Sequence, residues 1–332
     1  MVSSALAVAP LRVSFVGGGS DIPNFFQHDE GAVISCAISK YVFVHVKIHD
    51  DSFGERYRIS YSQVEHVQEI SEIKNEIVRR CLEFMNVDFP VQISTLSDLP
   101  AGTGLGSSSS FTAALLLALH ELKGERPTKY QLAEEACHVE ISLLKHPIGK
   151  QDQYAAAYGG INLFRFRSDG RVLVEPICIA SKELEEFLAR CRLYWTSTER
   201  SAIKVLKDQA SRATANHKNL KKMVGFAHEF KKQLECSSVN WREISSLIDK
   251  TWILKRELSP LISSSEIQEL ITTIKSEGDY GIKLLGAGGG GFVLAFNGGE
   301  SSKVPSNIHS KNLSSSFVPA IDHLGARIIS TF

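Results

Sequence analysis

The sequence predicts an α+β protein of two domains, and three observations carry that reading. The chain has 332 residues and is 43% hydrophobic, enough to fill about two cores. Its first half, to about residue 180, is rich in short β-branched and aromatic runs punctuated by glycine and proline. From about 201 to 277 the pattern changes to long amphipathic helices, and strands return after about 280. The boundary is expected near 180–192, dividing the chain into domains 1–185 and 186–332.

Leu11–Val16 is apolar and β-prone and runs into the triple glycine 17–19, a strand ending in a tight loop. Tyr41–Ile48 alternates well enough for a second, half-buried strand, with Tyr57–Tyr61 expected to pair with it. Val64–Met85 carries apolar residues at helical spacing (Val67, Ile70, Ile73, Ile77, Leu82), so a helix is expected there. Pro90–Ser94 is a short strand before a glycine loop, and Phe111–Leu122 is an apolar helix after it. Thr128 is placed to cap a helix over Tyr130–Leu144, which Pro147 stops. Ile161–Phe166 and Val172–Ile179 close the first half as strands. Ile282–Leu285, Phe292–Phe296 and Ala326–Ser330 are the late strands.

Thirty-seven basic and thirty-seven acidic residues cancel, so no global field draws the chain to nucleic acid or an anionic membrane. No apolar stretch approaches the roughly 20 residues needed to span a bilayer. Six scattered cysteines without a C-x-x-C pair argue against a disulfide frame or a zinc site. They fit a reducing compartment, and Ser4–Ala9 lacks the basic start and apolar core of a leader, so a cytoplasmic location is expected.

The most informative segment is Pro100-Ala-Gly102-Thr-Gly104-Leu105-Gly106-Ser107-Ser108-Ser109-Ser110, which runs directly into the Phe111 helix. Alternate glycines let backbone N–H groups turn inward, and a helix N-terminus adds positive potential, so the segment is an anion cradle suited to a polyphosphate. It is not a Walker A loop, because Ser107 stands where lysine would follow Gly106. It is not a dinucleotide fingerprint either, because Ser109 occupies the place of the last glycine. A second glycine loop, 286–291, formally reads G-x-G-x-x-G but is followed by Phe-Val-Leu-Ala-Phe, a strand, which rejects a Rossmann reading.

Three segments in order, Pro10-Leu-Arg-Val through Asp21, the loop 100–110 and the loop 285–292, resemble the motifs of the GHMP kinases. The resemblance runs from residue 9 to about 296. It implies a ribosomal protein S5 domain 2-like N-terminal domain and a ferredoxin-like C-terminal domain, with ATP and substrate in the cleft between. The words Ala9–Asp21, Gly149-Lys-Gln-Asp-Gln-Tyr154 and Lys283–Phe292 resemble the D-glycero-D-manno-heptose 7-phosphate kinase branch most. Gly18 and Gly19 stand where galactokinases carry Glu-His, which argues against galactose.

Carried over residue by residue, the resemblance makes Asp152 the aspartate that orients or deprotonates the acceptor hydroxyl. It makes Arg12 its neighbour, balancing developing charge. Lys150 would project to the same side as Asp152 if that segment is extended; a structural ion pair is the other reading. The loop from Pro100 to Ser110 would hold ATP, and Ser108 with Glu140 would hold Mg²⁺. Gly18, Gly19, Ser20, Asp21, Gly288 and Gly289 would face the sugar, and Arg200 matches a phosphate-binding word only in part. His138 and His146 lack companion ligands and read as local structure.

The expected activity is therefore ATP- and Mg²⁺-dependent phosphorylation of the anomeric hydroxyl of heptose 7-phosphate, with no nucleic-acid or membrane partner. Fucose or another sugar as acceptor, a non-catalytic sugar and ATP sensor, and a family decarboxylase stay open as alternatives. A homodimer also stays open.

Overall fold

The computed structural model describes residues 2–50, 52, 54–196, 202–212, 214–300, 304 and 315–332. Along the chain, β1 (Ser4–Gly17), α1 (Pro23–Phe26), β2 (Gly31–Ile48), β3 (Tyr57–Ser60), β4 (Val64–Val67), α2 (Glu76–Phe84) and β5 (Val91–Ser97) lead into α3 (Ser107–Leu122). Next come α4 (Lys129–Cys137), α5 (Gln151–Tyr158), β6 (Ile161–Phe166), β7 (Val172–Pro176), α6 (Ser181–Ala189) and β8 (Cys191–Trp195). The helices α7 (Ala202–Ser211), α8 (His217–Leu234), α9 (Trp241–Glu257) and α10 (Ser265–Ser276) follow. The chain ends in β9 (Tyr280–Leu284), β10 (Phe292–Asn297), β11 (Ser316–Phe317) and β12 (Arg327–Thr331).

The alternating apolar runs of the first half build one sheet in the order β12-β1-β2-β5-β3-β4, with β6 and β7 attached to β2. Strand β2 is long enough to serve two partners. Gly31–Cys36 pairs with β6, and Val42–Ile48 pairs with β5. Helix α3, apolar on nearly all sides, packs on β1 and β2 and is buried for most of its length. A smaller antiparallel sheet, β11-β8-β10-β9, is covered by α9 and α10. Phe15, Phe187 and Phe296 tie the two sheets together, with ring centroids 4.9 and 5.4 Å apart, at spacings typical of stabilising aromatic pairs. The architecture is α+β with two sheets, as the sequence predicts.

Three elements differ from the expected ones. The stretch 64–85 is not one helix: β4, a 3₁₀ turn at Ile70–Glu72 and α2 divide it. Glu65 is the cause. Its carboxylate accepts from the Lys74 and Asn75 backbone N–H groups and from the Tyr61 hydroxyl, folding the chain back before Asn75 caps α2. Strand β3 pairs with β5 in parallel and with β4, not with β2. The last strand, β12, returns to the first sheet and pairs with β1, although its residues lie in the second half of the chain.

Helices α3 and α4 are joined by a buried imidazole. His120 donates from Nδ1 to Glu125 and from Nε2 to Glu135, each at 2.6 Å. Burial alone would push its pKa down, but the two carboxylates outweigh burial and hold it above 6.5. A histidine charged in the folded state stabilises below its unfolded pKa, and that stabilisation is lost as pH rises through the raised folded value. Urea midpoints measured across the neutral range should therefore fall with rising pH, and His120→Gln should flatten that slope; an unchanged slope in the variant would exclude the link.

Candidate active site

The two glycine loops meet in a cleft of about 350 Å³ between the sheets. Gly106, at φ +79°, ends the first loop and starts α3 with no side-chain cap, and Gly106 to Ser109 line the cleft. The first-turn N–H groups of a 16-residue helix thus lie at the cleft wall, a favourable seat for an anion. The second loop backs the first: Phe292 N–H donates to Thr103 O at 3.0 Å, and a Cβ on Gly104 would fall 2.7 Å from Leu285 O.

Arg12 leaves β1 toward this point and is nearly fully buried. Its Nε and Nη2 donate to the two oxygens of Asp152 at 2.7 and 2.6 Å, a bidentate fork. Its Nη1 donates to Gly104 O at 2.6 Å, so one guanidinium fixes both Asp152 and the first glycine loop. Asp152 sits in the first turn of α5, and a Cβ on Gly106 would lie 3.3 Å from its Oδ2. The carboxylate is therefore at the mouth of α3.

Glu140 lies on a π-turn, His138–Leu143, that continues α4 and turns the side chain inward. It accepts from Ser108 Oγ and Gln153 Nε2, both at 2.7 Å. Complete burial raises its pKa to about 6 against the pull of these hydrogen bonds. Asp21 is also buried, accepting from Gly19 and Gln151 backbone N–H groups; burial first, and Asp152 second, raise its pKa. Gly149 is glycine for this reason, since a Cβ there would sit 1.9 Å from Asp21 Oδ2.

Of the residues singled out from sequence, Gly18, Gly19, Asp21, Gly102, Gly104, Gly106, Ser107, Ser108, Ser109, Glu140, Arg12 and Asp152 line the cleft. Several candidates do not. Lys150 is not on an extended segment beside Asp152: α5 begins at the next residue, and its Nζ instead binds both oxygens of Glu134 and Gly170 O. Ser20 spends its hydroxyl on the Ala32 backbone. Leu105 and Ser110 point into the core, Ser110 donating to Pro10 O, and Pro100 is exposed outside the lining. Gly288 and Gly289 pack on Ile262 rather than on the cleft. Arg200 lies outside the described residues. His138 packs on Phe84, whereas His146 lines the cleft.

Sequence reasoning missed Lys255 of α9 and Lys283 of β9 as cleft residues. Lys283 had a visible signal, a lone charge in an apolar strand word; Lys255 had none, being one of several charges on a helix. Lys283 Nζ donates to Ser14 O at 2.8 Å, and burial, then Lys255 and Arg12, lower its pKa.

Residues 73–160 match the family model for the GHMP kinases N terminal domain. A D-glycero-alpha-D-manno-heptose 7-phosphate kinase of Campylobacter jejuni is 29% identical over 300 residues, covering 86% of this chain and 87% of that protein. A bifunctional fucokinase/GDP-fucose pyrophosphorylase of Arabidopsis thaliana is 26% identical over 310 residues, 86% of this chain but 29% of that protein. Among solved structures, a D-glycero-D-manno-heptose 1-phosphate kinase of Bacteroides thetaiotaomicron superposes with TM-score 0.71 at 20% identity, covering 98% of this chain and 99% of that one. A Lactococcus lactis galactokinase with galactose gives 0.70 at 14%, covering 98% and 95%. At these identities the structural likeness establishes the fold, which the chain shares with these sugar kinases.

Proposed function

We propose that the chain is an ATP- and Mg²⁺-dependent sugar kinase of the cytoplasm that phosphorylates the anomeric C1 hydroxyl of D-glycero-D-manno-heptose 7-phosphate. The product, the 1,7-bisphosphate, is a precursor suited to nucleotide-activated heptose for surface polysaccharide. The observation that carries the reading is the Arg12–Asp152 fork at the N-terminus of α3, one carboxylate beside one anion seat. The 29% identical heptose 7-phosphate kinase favours this acceptor. The division into 1–185 and 186–332 belongs to the same proposal, with β12 crossing back.

In this mechanism the α3 N-terminus and the 102–109 loop hold the nucleotide phosphates. Asp152 accepts a hydrogen bond from the acceptor hydroxyl and takes its proton as that oxygen bonds to the γ-phosphorus and the bond from the γ-phosphorus to the β–γ bridging oxygen breaks, releasing ADP, while Arg12 keeps both carboxylate oxygens in place. Asp21 and the buried, unpartnered Gln151 Oε1 offer acceptors to the sugar hydroxyls. Glu140 and Ser108 fit a Mg²⁺ site, since that ion takes one or two protein oxygens and completes its shell with phosphate and water. Bound there, Mg²⁺ would neutralise charge on the phosphate oxygens.

A fucose-type acceptor is the second reading. Ile22, Leu206, Leu220 and Leu258 give the cleft an apolar wall suited to a deoxy carbon, and the Arabidopsis relative is a fucokinase. Coupled ADP-release assays over heptose 7-phosphate, fucose and galactose separate the readings. Heptose 7-phosphate is expected to give a kcat/KM at least about 100-fold above the others. A preference for fucose would replace the heptose reading, and MgATP binding without any acceptor turnover would leave a sensor.

A further inference from the structure

Lys255 reaches the cleft from α9, in the second half of the chain, and is almost completely buried. Its Nζ donates to two backbone carbonyls of the second glycine turn, Leu284 O at 3.1 Å and Gly286 O at 2.5 Å. A neutral amine has two N–H bonds, and both are then used. An ammonium has a third, which has no partner within that turn and is available to the cleft. That cleft already places Arg12, the Gly104 turn and the α3 N-terminus around one anion seat.

We propose that Lys255 is a phosphoryl-binding residue, holding the 284–286 turn with two N–H groups and donating its third to a phosphate oxygen of the bound nucleotide. The role rests on the kinase reading above and extends it to a residue of the second half of the chain. It also has a chemical consequence. Burial, then the neighbouring Arg12 of β1, push the amine down to about 7, while Asp152 of α5 and Asp21 after β1 pull the other way. Lys283 of β9 also faces Lys255, and the charge on Lys255 helps to lower the Lys283 pKa. Above about pH 7 the empty site thus holds Lys255 mostly neutral, and an arriving polyanion restores the charge. The proton comes from solvent and ends on Nζ; no other bond changes.

Nucleotide binding is therefore coupled to proton uptake. The sign follows from linkage: each proton taken up weakens binding by up to about tenfold per pH unit as pH rises. The test is calorimetry of MgATP binding to the full chain at about pH 8, in two buffers of different ionisation enthalpy. The expected result is uptake approaching one proton, with affinity falling from about pH 7.5 to 9. Lys255→Arg, permanently charged, should still bind MgATP but without proton uptake and with a flat pH profile. Lys255→Met should bind about 10- to 100-fold more weakly, the loss of one charge-assisted hydrogen bond. A residue that only braced the turn would move no protons. MgATP binding by the native chain without uptake, or uptake persisting in Lys255→Arg, would overturn the proposal and leave the kinase reading standing. No MgATP binding by the native chain would overturn both.

Discussion

Asp152→Asn is expected to reduce kcat by about three orders of magnitude while MgATP binding survives. An amide keeps the shape of the carboxylate but cannot take a proton from the attacking hydroxyl. It also changes the pairing with Arg12, which now donates twice at 2.7 and 2.6 Å to Asp152. The substituted amide would accept one of those bonds through its oxygen and oppose its NH₂ to the other N–H. Because Arg12 is only 4% exposed, the unmatched donor should also lower stability, by about 1–3 kcal/mol. Single-turnover assays with saturating MgATP read the chemical step apart from binding. A rate within tenfold of the native enzyme would remove Asp152 as the base. Arg12→Met combined with Asp152→Asn should cost little more than the worse single change, since the two act as one unit.

That unit shows what sequence can and cannot reveal about this site. The glycine turn into a helix was legible because its requirements are local: glycines with positive φ and then a helix start, all within residues 102–110. That Asp152 and Glu140 would come together in the cleft was legible only through the family pattern, since a carboxylate near a helix start and one on a helix are ordinary. What made Glu140 special, a π-turn and complete burial, comes from packing. Lys150 stayed open between the cleft and a structural ion pair, and the structure has the ion pair, because its backbone is already helical and Glu134 of α4 claims its ammonium. Lys255 was invisible because its role depends on the carbonyls of a turn some thirty residues later. The same distinction holds for the fold. Runs that bury one face were read correctly, and the 64–85 stretch was not, because the bonds of one glutamate, Glu65, override its helical spacing.

The second large effect is expected from Gly286→Ala, and its value lies in comparison with Gly102→Ala. Both glycines have positive φ, +68° and +78°, so alanine at either incurs left-handed strain of about 1–2 kcal/mol. At Gly102 a Cβ would meet nothing within 4 Å, so strain is the whole cost. At Gly286 it would sit 2.5 Å from Gly104 Cα and 3.0 Å from Gly104 O, against backbone that cannot rotate away. Relief requires the two glycine turns to separate, straining the Phe292–Thr103 hydrogen bond and the Lys255 grip on Gly286 O. The added cost is about 1–3 kcal/mol. Thermal melting should fall by about 5–10 °C in Gly286→Ala and by clearly less in Gly102→Ala. The KM for MgATP should rise in Gly286→Ala, because the turn it displaces backs the loop proposed to hold the phosphates. Equal melting shifts in the two variants would mean that the turns do not press on each other. A destabilised Gly286→Ala with native KM would mean that they press but do not shape the nucleotide site. Gly104→Ala, whose Cβ would meet Leu285 O at 2.7 Å from the other side, should reproduce the effect, and the double variant should cost less than the sum, since one separation relieves both overlaps.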